Sequence, residues 1–262
     1  MKEFNAKKTT DELIEWIRET VDNCNTVIGI SGGKDSTIGA MLATLALGKD
    51  RVWGIMIPDG KQKDIEDSKR VCRLLGIHNR IVNIGAVTNA LRDAFNEAYI
   101  VAGKREKFND VYETNTPARI RMTTLYGVAA IIGNARVMNT CNGPEDYVGY
   151  ATKFGDSAGD YSPLANLTIK EVLAVGVECA KRLNIYEDIK DLIFKTPDDG
   201  MSNKSDEEKL GFAYAVLDDY IRLGVCEDLK TKEVIDRMHA ANLHKLKPMP
   251  KFVPEEFGPI KL

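Results

Sequence analysis

The alternation of apolar and polar residues divides the chain into short extended runs and longer helical stretches. Leu13, Ile14, Ile17 and Val21 recur at helical spacing over 9–22, with Thr10 and Asp11 as candidate caps. Residues 27–30 form a continuous apolar run with strand character, and Ile38, Met41, Leu42 and Leu45 carry a helix to about residue 47. A second strand is expected over 52–57, stopped by Pro58, Asp59 and Gly60. A helix over 64–75 closes at Gly76, a third strand covers 80–84, and a third crossover helix covers 87–101. A helix over 117–132 then leads into a fourth strand over 136–140. Beyond residue 165 the pattern is helical, over 167–183, 185–193, 206–223 and 232–241. A proline-rich extended tail follows over 248–259.

Strands alternating with helices predict an α/β fold, a doubly wound parallel sheet covered on both faces, with a helical C-terminal subdomain. We expect one domain over 1–262, with an α/β core over about 10–165 and a helical part with its tail over 166–262. Ligands of such sheets bind beyond the strand C-termini, where strand order reverses. Residues 31–36, 56–62 and 140–145 all fall at that edge.

Composition narrows the classes. With 44% hydrophobic and 29% charged residues the chain reads as globular. No apolar run approaches the roughly 18 residues that span a bilayer, so no membrane partner is expected. Met1 to Asn5 lack the apolar core of a secretion signal. Five cysteines (Cys24, Cys72, Cys141, Cys179, Cys226) are scattered without a C-x-x-C, which fits a reducing cytoplasm. A net charge of −3 gives no reason to bind nucleic acid.

The chemistry concentrates in Ser31-Gly32-Gly33-Lys34-Asp35-Ser36. A strand, a tight glycine turn and a helix start make an anion site, because backbone N–H groups and hydroxyls converge there. The common phosphate loop, G-x-x-x-x-G-K-[ST], is excluded: Asp35 follows Lys34 and the glycine spacing differs. Asp35 among phosphate donors suits a Mg²⁺ ligand, since a hard cation on phosphate oxygens takes carboxylate oxygens.

This loop resembles the S-G-G-x-D-S loop of N-type ATP pyrophosphatases. Further blocks resemble the ammonia-dependent NAD synthetases in particular. They are Pro117 to Tyr126 (A-R-x-R-M…Y), Thr140 to Asp160 (T-x-x-x-x-E…T-K-[YF]-G-D…D), the region of Thr196 to Gly200 with Asp206, Glu207, Leu210 and Gly211, and the His244-Lys245 pair. They follow the family's order over nearly the whole chain. The resemblance implies an adenine nucleotide alpha hydrolase-like, Rossmann-like fold. It also implies ATP-dependent amidation of nicotinic acid adenine dinucleotide (deamido-NAD) by ammonia, giving NAD, AMP and pyrophosphate, usually in a homodimer.

Carried over by residue, the resemblance assigns ATP to Gly29, Ile30, Ser31, Gly32, Gly33, Lys34, Asp35, Ser36, Met56, Thr140 and Asp198. It assigns Mg²⁺ to Asp35 and Glu145. Deamido-NAD falls to Arg119, Lys153, Asp160, His244 and Lys245, with Asp35, Asp160 and Lys153 as the catalytic set. Arg119 and Arg121, two apart on a helix, face different ways, and the family pattern favours Arg119. His244 and Lys245 are placed past the last helix. The family's lysine after Leu-Thr is Ile169 here, with Lys170 one residue on, and Asp198 replaces a hydroxyl residue. No Ser-His-Asp or Cys-His set is evident, which suits a reaction run by charge neutralisation and alignment. The chain is short for an added glutaminase domain, so free or partner-supplied ammonia is expected. Two rivals are a tRNA-modifying thiolase or GMP synthetase-like enzyme, and an ATP-binding module without turnover. A thiolase should show paired cysteines and a basic face, which this chain lacks.

Overall fold

Four short strands make one parallel sheet: β1 (Asn25–Gly29), β2 (Val52–Met56), β3 (His78–Ile81) and β4 (Ala135–Met138), in the order β3-β2-β1-β4. The computed structural model describes residues 3–101, 108–195 and 206–254. Thr26 pairs with both Val52 and Arg136, so β1 is central. The chain winds outward from β1 to β3 and then returns to lay β4 on the other side. The C-terminal ends of β1 and β4 therefore flank the switch point.

In chain order the helices are α1 (Ala6–Val21), α2 (Lys34–Leu47), α3 (Ile65–Leu75), α4 (Gly85–Val101), α5 (Asp110–Ile132) and α6 (Gly143–Val148). Then come α7 (Ile169–Arg182), α8 (Tyr186–Ile193), α9 (Asp206–Leu210), α10 (Tyr214–Leu223) and α11 (Leu229–Leu246).

Strand alternation sorts side chains onto two faces. Ile28, Val52, Met56 and Met138 join one apolar cluster with α1, α2, α3, α7 and α8. Val27, Ile55 and Val137 join a smaller one beneath α5. A third cluster, built from Val148, Phe212, Tyr214, Leu217 and Ile235, ties α6 to α10 and α11. Thus α7 and α8 belong to the sheet's own core, and the separate C-terminal cluster begins after them.

Several boundaries differ from the sequence expectation. The third strand starts at His78 and is exposed along its length, so burial could not mark it. The chain still follows β2 further, with Val82 N donating to the Met56 carbonyl and Ile84 N to that of Pro58. Helix α5 begins at Asp110, well before Pro117, because the Asn109 side chain caps Tyr112 N. The stretch expected as one helix over 206–223 breaks at Gly211, whose φ is +82°. Helix α11 runs on to Leu246, so His244 and Lys245 lie in its last turn. Helix α6 was unexpected.

Candidate active site

The Ser31–Ser36 turn is held by its own hydroxyls. Ser36 Oγ lies 3.0 Å from Ser31 Oγ and donates to the Gly33 carbonyl at 3.2 Å. Thr37 Oγ1 donates to the same carbonyl at 2.8 Å, and Gln62 Nε2 donates to the Ser31 carbonyl at 3.0 Å. Gly32 sits at φ +84°, and a Cβ there would stand 3.0 Å from the Asp64 carbonyl oxygen. Any side chain is therefore both strained and crowded. Gly29 and Ile30 lead straight from β1 into this turn, and Ile30 N still bonds the Ile55 carbonyl. Thr140, just past β4, lies across the switch point, with its methyl beside the backbone of Gly39 in α2.

Beneath the turn is a buried charge cluster. Lys34 is 5% exposed, and its Nζ lies 2.7 Å from Asp35 Oδ2. Asp35 Oδ1 is buried with no hydrogen-bond partner. Glu145 is the third residue of α6 and closes a reciprocal capping box: its N–H donates to Asn142 Oδ1, and its carboxylate accepts from Asn142 N. Burial and then the Asp35 charge push the Glu145 carboxyl well above the usual range, against the pull of Lys34 and the Asn142 N–H. Burial lowers the Lys34 ammonium, but Asp35, Glu145 and Asp206 outweigh it and leave Lys34 above its ordinary value. Asp206, 7% exposed, accepts from Tyr150 Oη. The Tyr214 hydroxyl is buried and unpartnered. Burial, Glu145 and Asp206 keep it protonated.

The donor set fits a hard divalent cation. Asp35 offers an orphaned carboxylate oxygen, and Glu145 is a second carboxylate within reach of its charge. No group of three or more His, Cys, Asp or Glu residues among the described residues makes a protein-only cage. Mg²⁺ characteristically binds one or two carboxylates and completes its shell with water and phosphate.

A second cluster is basic. Lys153 Nζ donates to the His244 carbonyl at 2.6 Å, and Arg119 Nε donates to the Lys153 carbonyl at 3.2 Å. Lys245 Nζ donates to the Gly149 carbonyl at 2.7 Å, and burial lowers its ammonium against the pull of Asp156. Arg119, Lys153, His244 and Lys245 are thus brought together from α5, the loop after α6 and the end of α11. Asp160 stands apart from them. Its carboxylate accepts from Val137 N at 2.7 Å and from Tyr126 Oη at 3.1 Å, tying the segment after α6 to β4. Arg121 turns inward, donating to the Ile57 carbonyl at 3.1 Å near Asp59 and Asp156.

Met56 is 1% exposed within the core cluster, because its pleat position points it beneath α2, so its side chain serves packing. Asp198 lies outside the described residues. Lys170 Nζ reaches Asp219 on α10 at 3.4 Å, an exposed pair, as its one-residue shift implies. Sequence reasoning missed Asn142, Asp206 and Tyr214 as members of the acidic cluster. The Asn142-x-x-Glu145 spacing with Pro144 is a legible helix start, whereas Asp206 and Tyr214 carry no local signal.

The phosphate turn with its two carboxylates at the switch point and the basic cluster of α5, the loop after α6 and the end of α11 are the candidate chemistry, and comparison decides the family. The NAD synthase family model matches residues 9–251. The chain belongs to the NAD synthase family. It is accordingly a ligase. It is 34% identical to the NH3-dependent NAD⁺ synthetase of Pyrococcus furiosus over 92% of this chain and 87% of that one. Its fold matches the NMN synthetase of Francisella tularensis with a TM-score of 0.82 at 28% identity, covering 97% of this chain and 100% of that one. It also matches the NH3-dependent NAD synthetase of Campylobacter jejuni with a TM-score of 0.70 at 28% identity, covering 96% and 100%.

Proposed function

We propose that this chain joins ammonia to the nicotinate carboxyl of deamido-NAD, with ATP cleaved to AMP and pyrophosphate. A carboxylate oxygen attacks the α-phosphorus, the α–β bridging bond breaks, and pyrophosphate leaves. Ammonia then adds to the acyl carbon of the adenylate, loses a proton, and AMP departs with the carboxylate oxygen. The observation that carries this reading is the Ser31–Ser36 turn beside Asp35 and Glu145 at the β1/β4 switch point.

In this reading the turn N–H groups, Ser31, Ser36 and Thr140 bind the triphosphate. Asp35 and Glu145 would hold Mg²⁺, which neutralises the leaving pyrophosphate when bound. Arg119, Lys153, His244 and Lys245 hold the anionic end of the acid substrate, so that binding and orientation supply most of the rate. We assign Asp160 a positioning role, since its carboxylate braces the segment after α6 against β4.

The test is NAD formation from deamido-NAD, ATP and ammonium, with stoichiometric AMP and pyrophosphate. ATP binding without turnover would instead favour a binding module. A second reading takes the acid mononucleotide as acceptor. It is favoured by the higher TM-score to the NMN synthetase, 0.82 against 0.70. Comparing kcat/KM for the two acids separates them.

We propose that the chain forms the homodimer that the family resemblance implies. Helix α5 covers the second sheet face, and Ile131 near its C-terminal end is 87% exposed. A second copy is the occupant we propose for that face. No helix among the described residues is long and apolar enough to cross a membrane.

A further inference from the structure

Lys34 does not behave as a lysine in a phosphate turn ordinarily would. Side chains at i and i+1 of a helix point apart, yet Lys34 Nζ reaches Asp35 Oδ2 at 2.7 Å. To do so the stem folds under the turn and buries all but 5% of the residue. The ammonium also interacts with Glu145 and Asp206. A buried ammonium loses most of its hydration and is retained only where carboxylates replace it. Conversely, Asp35, whose Oδ1 has no hydrogen-bond partner, would be left a largely buried and uncompensated charge without it.

We propose that Lys34 is a resident counter-cation of the metal site: its ammonium compensates the Asp35 carboxylate in the metal-free enzyme and competes with the divalent cation for it. This rests on the reading that Asp35 and Glu145 form that site. A dication held by the unpartnered Oδ1 would share the Asp35 carboxylate with the ammonium. One that takes both oxygens must displace it. Either way the lysine weakens metal binding and stabilises the empty cluster. Nucleotide arrival resolves the competition, because triphosphate oxygens offer the released ammonium a new anionic partner.

The experiment is a Mn²⁺ titration of the full chain without nucleotide, followed by the electron paramagnetic resonance of free Mn²⁺. Thermal melts with and without Mg²⁺ run alongside. Wild type, Lys34→Met, Lys34→Gln and Asp35→Asn are compared. Removing a neighbouring positive charge should tighten Mn²⁺ binding by about tenfold or more. Both neutral variants should also melt lower without metal and gain more from Mg²⁺ than wild type does. Measurable binding that arises only in the neutral variants has the same meaning. Should Lys34→Met fail to fold, Lys34→Gln, which keeps a polar terminus, carries the test. Mn²⁺ affinity unchanged or weakened in the neutral variants, while Asp35→Asn still abolishes binding, overturns the role of Lys34 and leaves the metal site standing. Binding that survives Asp35→Asn, or that is absent from every protein, overturns the metal-site reading and this inference with it.

Discussion

Lys170 shows what one residue of register decides. The family's lysine position is Ile169 here, which packs with the α6–α10–α11 cluster. Lys170 is turned about 100° round the helix and pairs with Asp219 in solvent. Lys170→Ala should therefore leave the KM for ATP within about twofold, since an exposed pair contributes at most about 1 kcal/mol. A large rise in that KM, measured by AMP release, would show that the side chain reaches nucleotide. Glu145 makes the opposite point. As a lone loop acid it would be solvated, but Asn142 starts a helix beneath it and turns the carboxylate toward Asp35.

Among the elements, α11 illustrates how a helix docks on backbone. Gly149 caps α6 at φ +65°, and a Cβ there would fall 2.1 Å from Asn242 Cβ of α11. Asn242 Nδ2 and Lys245 Nζ then donate to the carbonyls of Val148 and Gly149. Gly149→Ala combines a left-handed conformation, costing roughly 1 kcal/mol or more, with a steric clash. It should lower the melting temperature and raise the KM for the acid substrate several-fold, with the KM for ATP much less affected. A variant that melts and turns over like wild type would show that α11 does not position the basic cluster. The strands and the amphipathic helices were legible because burial imprints a period on them. The bounds of edge strand β3 were not, because it is exposed throughout, and helix α6 has a legible cap but too few residues to show a period.

At the scale of the whole molecule the two sheet faces are unequal. One is buried under five helices, while the apolar cluster on the other takes its helical residues from α5 alone among the described residues, with Ile131 87% exposed. If a second copy covers that face, Ile131→Glu should shift the protein toward half the wild-type mass in light scattering. A monomeric wild type, or a variant that stays paired, would remove the proposed dimer. The sequence by itself determined the parallel α/β class, the phosphate turn and the carboxylate and basic residues, because strand and helix periods and local turn chemistry are written in neighbouring positions. Only the tertiary structure decided that Lys34 lies buried against Asp35, that Asp206 and Tyr214 close around Glu145, that Asp160 braces β4, and that the end of α11 meets Lys153. Those depend on which distant segments the sheet order brings to one edge, and no local pattern encodes that.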